Sequence, residues 1–377
     1  SILDGKVTGV STIPHGLSGG DIVEISGISS ITYKNIEGVR TIGLSTVTSS
    51  LSEAIPNLAE SFYINKIDIK KKDIIDYNLD YNYKGKAEFL RISLNVLKRY
   101  GCGPNRGYDI SISSNIPINS GLSSSSALTV AWIQFLLKSF LPEEKIEYKT
   151  LAELAYQTEV VETGSSGGNM DQYTISHGGT IFLNTLNSNI HSYKYNFSDV
   201  DLVVGVSAAG KDTRGMLKKL KSNQILALET IKNFAPEFDL YNKDSYDYNS
   251  CYDSLDQNLK PYFKAAIKNF DITKAADNEL RKDNPDMKIL GSLMTDHHNL
   301  LKDELKNTTD EIDKMIDICN SMGAYGSKIV GSGGGGSIVS LSTNSNTSNK
   351  IVSKLKGIGV KDAFIARKGN GPTIYYE

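Results

Sequence analysis

Strands interleaved with helices in both halves of the chain, without a regular βαβ repeat, predict an α+β fold. A stretch of little periodicity, TLNSNIHSYKYNFSD, lies near residues 185–200 and divides the chain into two lobes, 1–190 and 191–377. The 377 residues are too many for one ordinary compact domain and suit about two.

Residues 1–55 are rich in Gly, Ser, Thr, Val and Ile, with short alternating stretches such as Asp21 to Ile25, and read as strands and turns. In KAEFLRISLNVLKRY, residues 86–100, Phe89, Leu90, Ile92, Leu94 and Leu97 fall near helical spacing and predict an amphipathic helix. Gly107 to Ser113 alternates as Tyr108, Ile110, Ile112 and reads as a strand. A polar turn, IPINSGLSSSS, then opens into an apolar helix, ALTVAWIQFLLKSF, which should be largely buried. Residues 149–162 are helical and end in a glycine-rich turn, TGSSGGNMDQ. GGTIFLN and DLVVGVS read as strands, and residues 214–320 as mostly helical, with a polar, tyrosine-rich loop at Asn242 to Ser254. GSKIV, a run of glycines and SIVSL read as strand, tight turn and strand.

Composition narrows the function classes. Charged residues make up 22% and apolar residues 39%, a globular balance. The formal net charge is −2, from 41 basic and 43 acidic residues, so no basic excess points to nucleic acid. The lysine runs Lys70, Lys71, Lys72 and Lys218, Lys219, Lys221 read as solvated faces. Cys102, Cys251 and Cys319 are far apart and form no CxxC pair, which fits a reducing, cytoplasmic compartment. SILDGKVTGV lacks the basic and apolar regions of a signal peptide, and no window approaches about 18 uncharged apolar residues. The expected partner is a small soluble molecule, with no membrane and no nucleic acid, and the chain is expected to be a monomer or a homodimer.

Three glycine-containing segments carry candidate chemistry. Gly205 to Lys211 nearly has the spacing GxxxxGK[ST], but Asp212 stands where a hydroxyl must reach magnesium, and DTRGM follows in place of the expected helix start, so it is not read as a P-loop. Gly331 to Gly336 satisfies GxGxxG, but the strand-like SIVSL follows it, so the dinucleotide reading fails on context. Four consecutive glycines nevertheless carry a large entropy cost, which close approach of the backbone to a ligand or another loop explains better than a plain turn. In Pro117 to Ala127 four serines precede an apolar helix. One N-cap needs one serine; a glycine-led turn with free N–H groups and hydroxyls at the positive end of a helix also makes a phosphate cradle. His297 and His298 are adjacent and match no metal-binding spacing, and His177 reads as structural. Thr213 and Arg214 read as a surface turn.

Taken together, these segments resemble the GHMP kinases. PINSGLSSSSAL looks like their phosphate-binding motif PxxxGLSSSA, and GAYGSKIVGSGGGGSIVSL resembles their third, glycine-rich motif. EVVETGSSGGNMDQYTISHGG is similar to the galactokinase stretch that ends in Met-Asp-Gln, and ILGSLMTDHHNLLKDEL resembles the helix that galactokinases carry before the third motif. The resemblance implies a two-lobed GHMP-kinase-like fold with the active site in the cleft between lobes, the phosphate loop in the N-terminal lobe and the glycine-rich loop in the C-terminal one. It implies an ATP-dependent sugar kinase using ATP and Mg2+, with the anomeric hydroxyl of a galactose-like sugar favoured as acceptor by the NMDQ context.

Carried over residue by residue, Ser125 matches the family's magnesium-binding serine, and Glu159, twelve positions before Asp171, its metal-binding glutamate. Asp171 matches the catalytic aspartate facing the acceptor hydroxyl, with Gly168 also on the substrate side. Gly121, Leu122, Ser123, Ser124, Ser125 and Ser126 would hold the phosphates, and Gly333, Gly334 and Gly335 would close over the nucleotide. The family's first motif, of the type PGRVNLIGEHTDY, is not found. The nearest pieces are Asp4-Gly5-Lys6-Val7 and Ser18-Gly19-Gly20-Asp21, which give Lys6 as a catalytic cation and Asp21 as a substrate contact. Two alternatives stay open: a catalytically inactive nucleotide- or sugar-binding regulator of the same fold, and another GHMP kinase of heptose-phosphate, uronic acid or mevalonate type.

Overall fold

The computed structural model describes residues 89–102, 109–112, 114–141, 145–165, 167–185, 188–193, 195, 197, 200–208, 213–331, 333–366 and 369–374, and, before residue 89, the strand segments 2–3, 6–10, 22–26, 30–35 and 38–43. The fold is α+β and divides into two compact units. One comprises residues 1–118, 123–192 and 366–377; the other comprises 119–122 and 193–365.

In the first unit, strands β1 (Ile2–Leu3), β2 (Lys6–Val10), β3 (Ile22–Ser26), β4 (Ser30–Asn35), β5 (Gly38–Gly43) and β6 (Asp109–Ile112) form a sheet in the order β1-β2-β6-β3-β4-β5. Only β3 and β6 pair in parallel; the other neighbours are antiparallel. The alternating Gly/Ser/Val/Ile pattern of the first residues therefore becomes strand as expected.

Helix α1 (Phe89–Arg99) buries Leu90, Ile92, Leu94 and Leu97 of the stripe its spacing predicts and Val96 besides, while Phe89 at its start is half-buried. Its last turn carries Lys98 and Arg99, where cations favour the negative helix end. Helix α2 (Ser124–Phe140) is apolar on all sides because α1, α3 (Tyr148–Tyr156) and α4 (Met170–His177) surround it. Trp132 fastens α2 to α1: its indole N–H lies 2.9 Å from Leu90 O and 2.8 Å from Ser93 Oγ. A buried indole needs such an acceptor. The hairpin β7 (Ile181–Asn184) and β8 (Asn189–Ser192) follows.

In the second unit, β10 (Gly326–Val330), β11 (Ser337–Ser342), β9 (Asp201–Val206) and β12 (Asp362–Ala366) form a sheet in that order. One face packs on α9 (Asp310–Ser321) and α10 (Ser345–Gly357), burying Val203, Ile312, Met315, Ile329, Ile338, Ile351 and Leu355. Helices α5 (Thr213–Phe234), α6 (Tyr248–Asp253), α7 (Lys260–Leu280) and α8 (Met287–Asp303) complete the unit. Helix α8 covers the open edge of β10, where Thr295 Oγ1 accepts from Ser327 N. The approach requires glycine on both sides: a Cβ on Gly291 would stand 2.4 Å from Tyr325 O, and one on Gly326 would stand 1.7 Å from Gly291 O.

Five elements depart from the sequence reading. Met170–His177, read as part of a turn, is a helix that begins directly after the glycines. Asn189–Ser192 lies in the segment read as aperiodic; its mostly exposed, polar residues give a strand no hydrophobic alternation to show. The tyrosine-rich loop contains α6, capped by Asp247, which accepts from Ser250 N, and packed through Cys251 and the stacked rings of Tyr248 and Phe263. Helix α10 and strand β12 had not been read at all; Asn344 caps the helix by accepting from Thr347 N. Among the described residues no helix is long and apolar enough to cross a membrane. Cys102, Cys251 and Cys319 are buried and form no disulfide among the described residues.

Trp132→Phe removes the donor shared by Leu90 O and Ser93 Oγ while keeping an aromatic ring in the core. It should destabilise the chain by about 1–3 kcal/mol, read from urea unfolding followed by circular dichroism.

Candidate active site

Helix α3 does not end at Tyr156. It widens into a π-helical turn over Gln157–Val161, with Glu162 N donating to Gln157 O, five residues back, at 2.9 Å. Thr158 and Thr163 stabilise the widened turn by donating their hydroxyls to Leu154 O and Glu159 O at 2.8 and 2.6 Å. Single π-turns of this kind re-aim side chains and recur at functional sites. The side chain carried here is Glu159.

Glu159 meets the first turn of α2 and the first turn of α4. Gln172 Nε2 donates to Glu159 Oε2 at 2.6 Å and to Ser126 Oγ at 3.3 Å. Burial raises the Glu159 carboxyl above the ordinary carboxylate range; hydrogen bonds with Ser125, Ser126 and Gln172 pull it back, and the charge of Asp171 adds a smaller upward push. Glu159 is half-buried rather than a solvated helical charge.

Asp171 stands in the first turn of α4, partly exposed, where the helix N-terminus favours a negative side chain. Gly168, just before this helix, is exposed, and no atom lies within 4 Å of where a Cβ would stand. Asp171 is close enough to Glu159 for its charge to act on that carboxyl.

The serine-rich turn does not act as a simple cap. Ser123, at the N-cap of α2, makes no side-chain cap bond and has φ 53°. Positive φ recurs at alternate positions, 57° at Asn119, 80° at Gly121 and 53° at Ser123. Alternation of this kind turns successive N–H groups toward one side, the arrangement that binds anions. A left-handed serine costs about 1–2 kcal/mol, so the turn is held against its local preference. The first intrahelical bond of α2 is Ala127 N to Ser123 O, which leaves the N–H groups of Ser124, Ser125 and Ser126 ahead of any intrahelical acceptor.

Within the second unit, the head of this turn is tied to the glycine loop. Ser337 Oγ, buried in β11 directly after the glycines, donates to Ser120 O at 2.6 Å. Gly331 and Gly333 to Gly336 all have positive φ. Gly334 N donates to Asn307 O at 2.6 Å, and a Cβ on Gly333 would stand 2.3 Å from that same oxygen. The glycines are therefore needed for close approach to residue 307 and for backbone conformations that other residues adopt poorly. Gly205, the glycine of the P-loop-like spacing, lies inside β9 opposite Ile338; a Cβ there would meet Met315 and Leu355, so its smallness serves packing.

A basic cluster went unnoticed in the sequence. Lys328 of β10 and Ser337 lie on the same sheet face, through the pairs Lys328↔Val339 and Val330↔Ser337. Lys328 Nζ donates to Ile329 O at 2.7 Å, and burial lowers the ammonium from 10.5 to about 8. Burial, then the charges of Lys328 and His298, hold His297 down to about 4. His298 is buried beside Asp313, 3.3 Å away. His177 has ordinary partners in Gly178 O and Ser192 Oγ. Of the remaining expected site residues, Lys6 opens β2 and its side chain lies outside the described residues, as does Asp21.

Lys328 sets a pH dependence of stability. Between about pH 8 and 10.5 the unfolded chain holds a proton that the folded chain has released, so stability is greatest above this window and is lost as pH falls through it. Thermal melts of the wild type and Lys328→Met across this range should show a slope in the wild type that the variant lacks.

The GHMP kinase N-terminal domain matches residues 88–179, spanning α1 to α4, and the GHMP kinase C-terminal domain matches residues 275–361. Galactokinase of Clostridium perfringens is 26% identical over 329 residues, covering 81% of this chain and 82% of the relative. Mevalonate kinase of Pyrococcus furiosus is 25% identical over 321 residues, covering 84% and 81%. The crystal structure of Lactococcus lactis galactokinase complexed with galactose shares the fold with a TM-score of 0.68 at 19% identity, covering 98% of this chain and 89% of that one. With both domains in family order around the serine turn and the glycine loop, the chain belongs to the GHMP kinase superfamily, with galactokinases and mevalonate kinases among its relatives.

Proposed function

We propose that this chain transfers the γ-phosphoryl group of ATP to a hydroxyl of a small molecule, with a galactose-like sugar as acceptor and its anomeric hydroxyl as the nucleophile. The observation that carries the reading is the convergence of Glu159, Ser125, Ser126, Gln172 and Asp171 at the first turns of α2 and α4. Phosphoryl transfer needs little covalent work from a protein; it needs positioning and neutralisation of charge.

Backbone N–H groups from Gly121 to Ser126 hold the phosphates, with Leu122 and Ser124 within that turn, and Gly333, Gly334 and Gly335 are nucleotide contacts. Glu159 and Ser125 would hold magnesium, which would supply neutralisation of phosphate charge. The donors fit that ion: both are oxygens, and two protein ligands suffice for an ion that keeps waters and takes phosphate oxygens. Gln172 Oε1 is moreover buried and meets no donor among the described residues, which suits an ion that brings protons on its waters. Asp171 orients the acceptor hydroxyl and takes its proton as the oxygen bonds to the γ-phosphorus and the bond to the ADP oxygen breaks. Gly168 leaves room on the acceptor side.

The acceptor has a second reading. Mevalonate kinases match nearly as well as galactokinases over a similar share of the chain, so mevalonate is the rival acceptor. ADP release from Mg-ATP against free sugars and mevalonate separates the two. Turnover with a sugar, lowered about a hundred- to ten-thousand-fold in Asp171→Asn at unchanged melting temperature, is the expected outcome. Turnover with mevalonate alone would replace the acceptor, and nucleotide binding without any turnover would make the chain a regulator.

A further inference from the structure

We infer that Gln172 is the positioning residue of the metal carboxylate: its amide holds Glu159 in place with one edge and presents an acceptor to the ion's hydration shell with the other. The inference rests on the proposed kinase reading and assigns a role to a side chain that neither touches the acceptor nor ligates the metal.

The geometry fixes which way the amide faces. A carboxylate only accepts hydrogen bonds, so the atom 2.6 Å from Glu159 Oε2 must be the NH2 group; a flipped amide would set oxygen against oxygen. The second amide proton is directed to Ser126 Oγ. Gln172 thus joins the π-turn to the start of α2 while it sits on α4, and it is 2% exposed. Both protons are committed, one to Glu159 Oε2 and the other to Ser126 Oγ. Rotation of the carboxylate would forfeit a short bond in a buried setting, where an unpaired polar group is unfavourable.

The same assignment leaves Oε1 as the remaining polar atom of the amide. That atom is buried without a donor among the described residues. A buried acceptor in such a position suits an incoming proton, and a water on a divalent cation carries two, polarised by the ion. An amide is also the appropriate group chemically. It supplies two donors and no charge, so it orients the carboxylate without competing for its negative charge, as a lysine or arginine would. Partners one layer behind a ligand typically change metal affinity by about 10- to 100-fold.

The test is direct metal binding rather than turnover. Mn2+ is titrated by electron paramagnetic resonance into wild type, Gln172→Met and Gln172→Asn, each with the non-hydrolysable β,γ-imido analogue of ATP. Methionine keeps the length and volume but has no donor; asparagine keeps the amide but withdraws it from Glu159. Both should raise the Mn2+ dissociation constant about 10- to 100-fold, while the melting temperature and the affinity for the metal-free nucleotide analogue change little. Unchanged Mn2+ affinity in both folded variants, against a wild type that binds, overturns the inference and leaves the kinase reading standing. Equal loss of metal-free nucleotide affinity would make Gln172 a structural residue and overturns it as well. A wild type that binds no Mn2+ with the nucleotide removes the kinase reading itself.

Discussion

Burying a carboxylate is unfavourable unless donors meet it, and the first unit is organised around meeting this requirement at Glu159. The donors come from two places: Ser125 and Ser126 at the start of α2, and Gln172 in the first turn of α4. None of these is near Glu159 in sequence. The π-turn brings the carboxylate to them, and the all-round burial of α2 fixes the serines' position to within the tolerance of a hydrogen bond. Trp132 extends this chain of constraints to α1. The apolar core is thus what turns scattered polar side chains into one arrangement.

The second unit handles the opposite problem, a backbone that must come close to other backbone. Glycine serves this at two kinds of place. Gly291 and Gly326 let α8 press against the edge of β10, and Gly333 lets the loop reach Asn307. The first pair concerns packing, the second the shape of a loop whose exit residue, Ser337, holds Ser120. Within the second unit the strand that leaves the loop is consequently joined to residues 119–122 by a buried hydrogen bond.

Much of this could be read from sequence where periodicity was strong. The amphipathic α1, the apolar α2 and the strand-turn-strand of β10 and β11 all carry patterns that depend on residues close in the chain. The serine turn and Glu159 were singled out from motif resemblance, and the structure adds their mutual contacts. What escaped reading depended on distant partners. Gln172 was quoted only as the last letter of a motif, because a buried amide has no periodic signature. Lys328 read as an ordinary strand residue, since only the helices packed against its strand make it a buried cation. Helix α4 escaped because the glycines before it resemble a turn, and α6 because tyrosines stacked on Phe263 look, in sequence alone, like a polar loop.

The arrangement at Glu159 also explains why the group behind it should be neutral. Burial has already pushed this carboxyl toward its protonated form, and the nearby Asp171 pushes it further. A cation in place of Gln172 would restore the charged form, but it would also satisfy that charge permanently and lower the attraction left for a divalent ion. Hydroxyls and an amide do the first task only in part and leave the second undone. Among the described residues, the groups that meet Glu159 directly are hydroxyls and an amide, with no lysine or arginine, so the carboxylate is oriented by donors that carry no charge and its own charge is left incompletely neutralised.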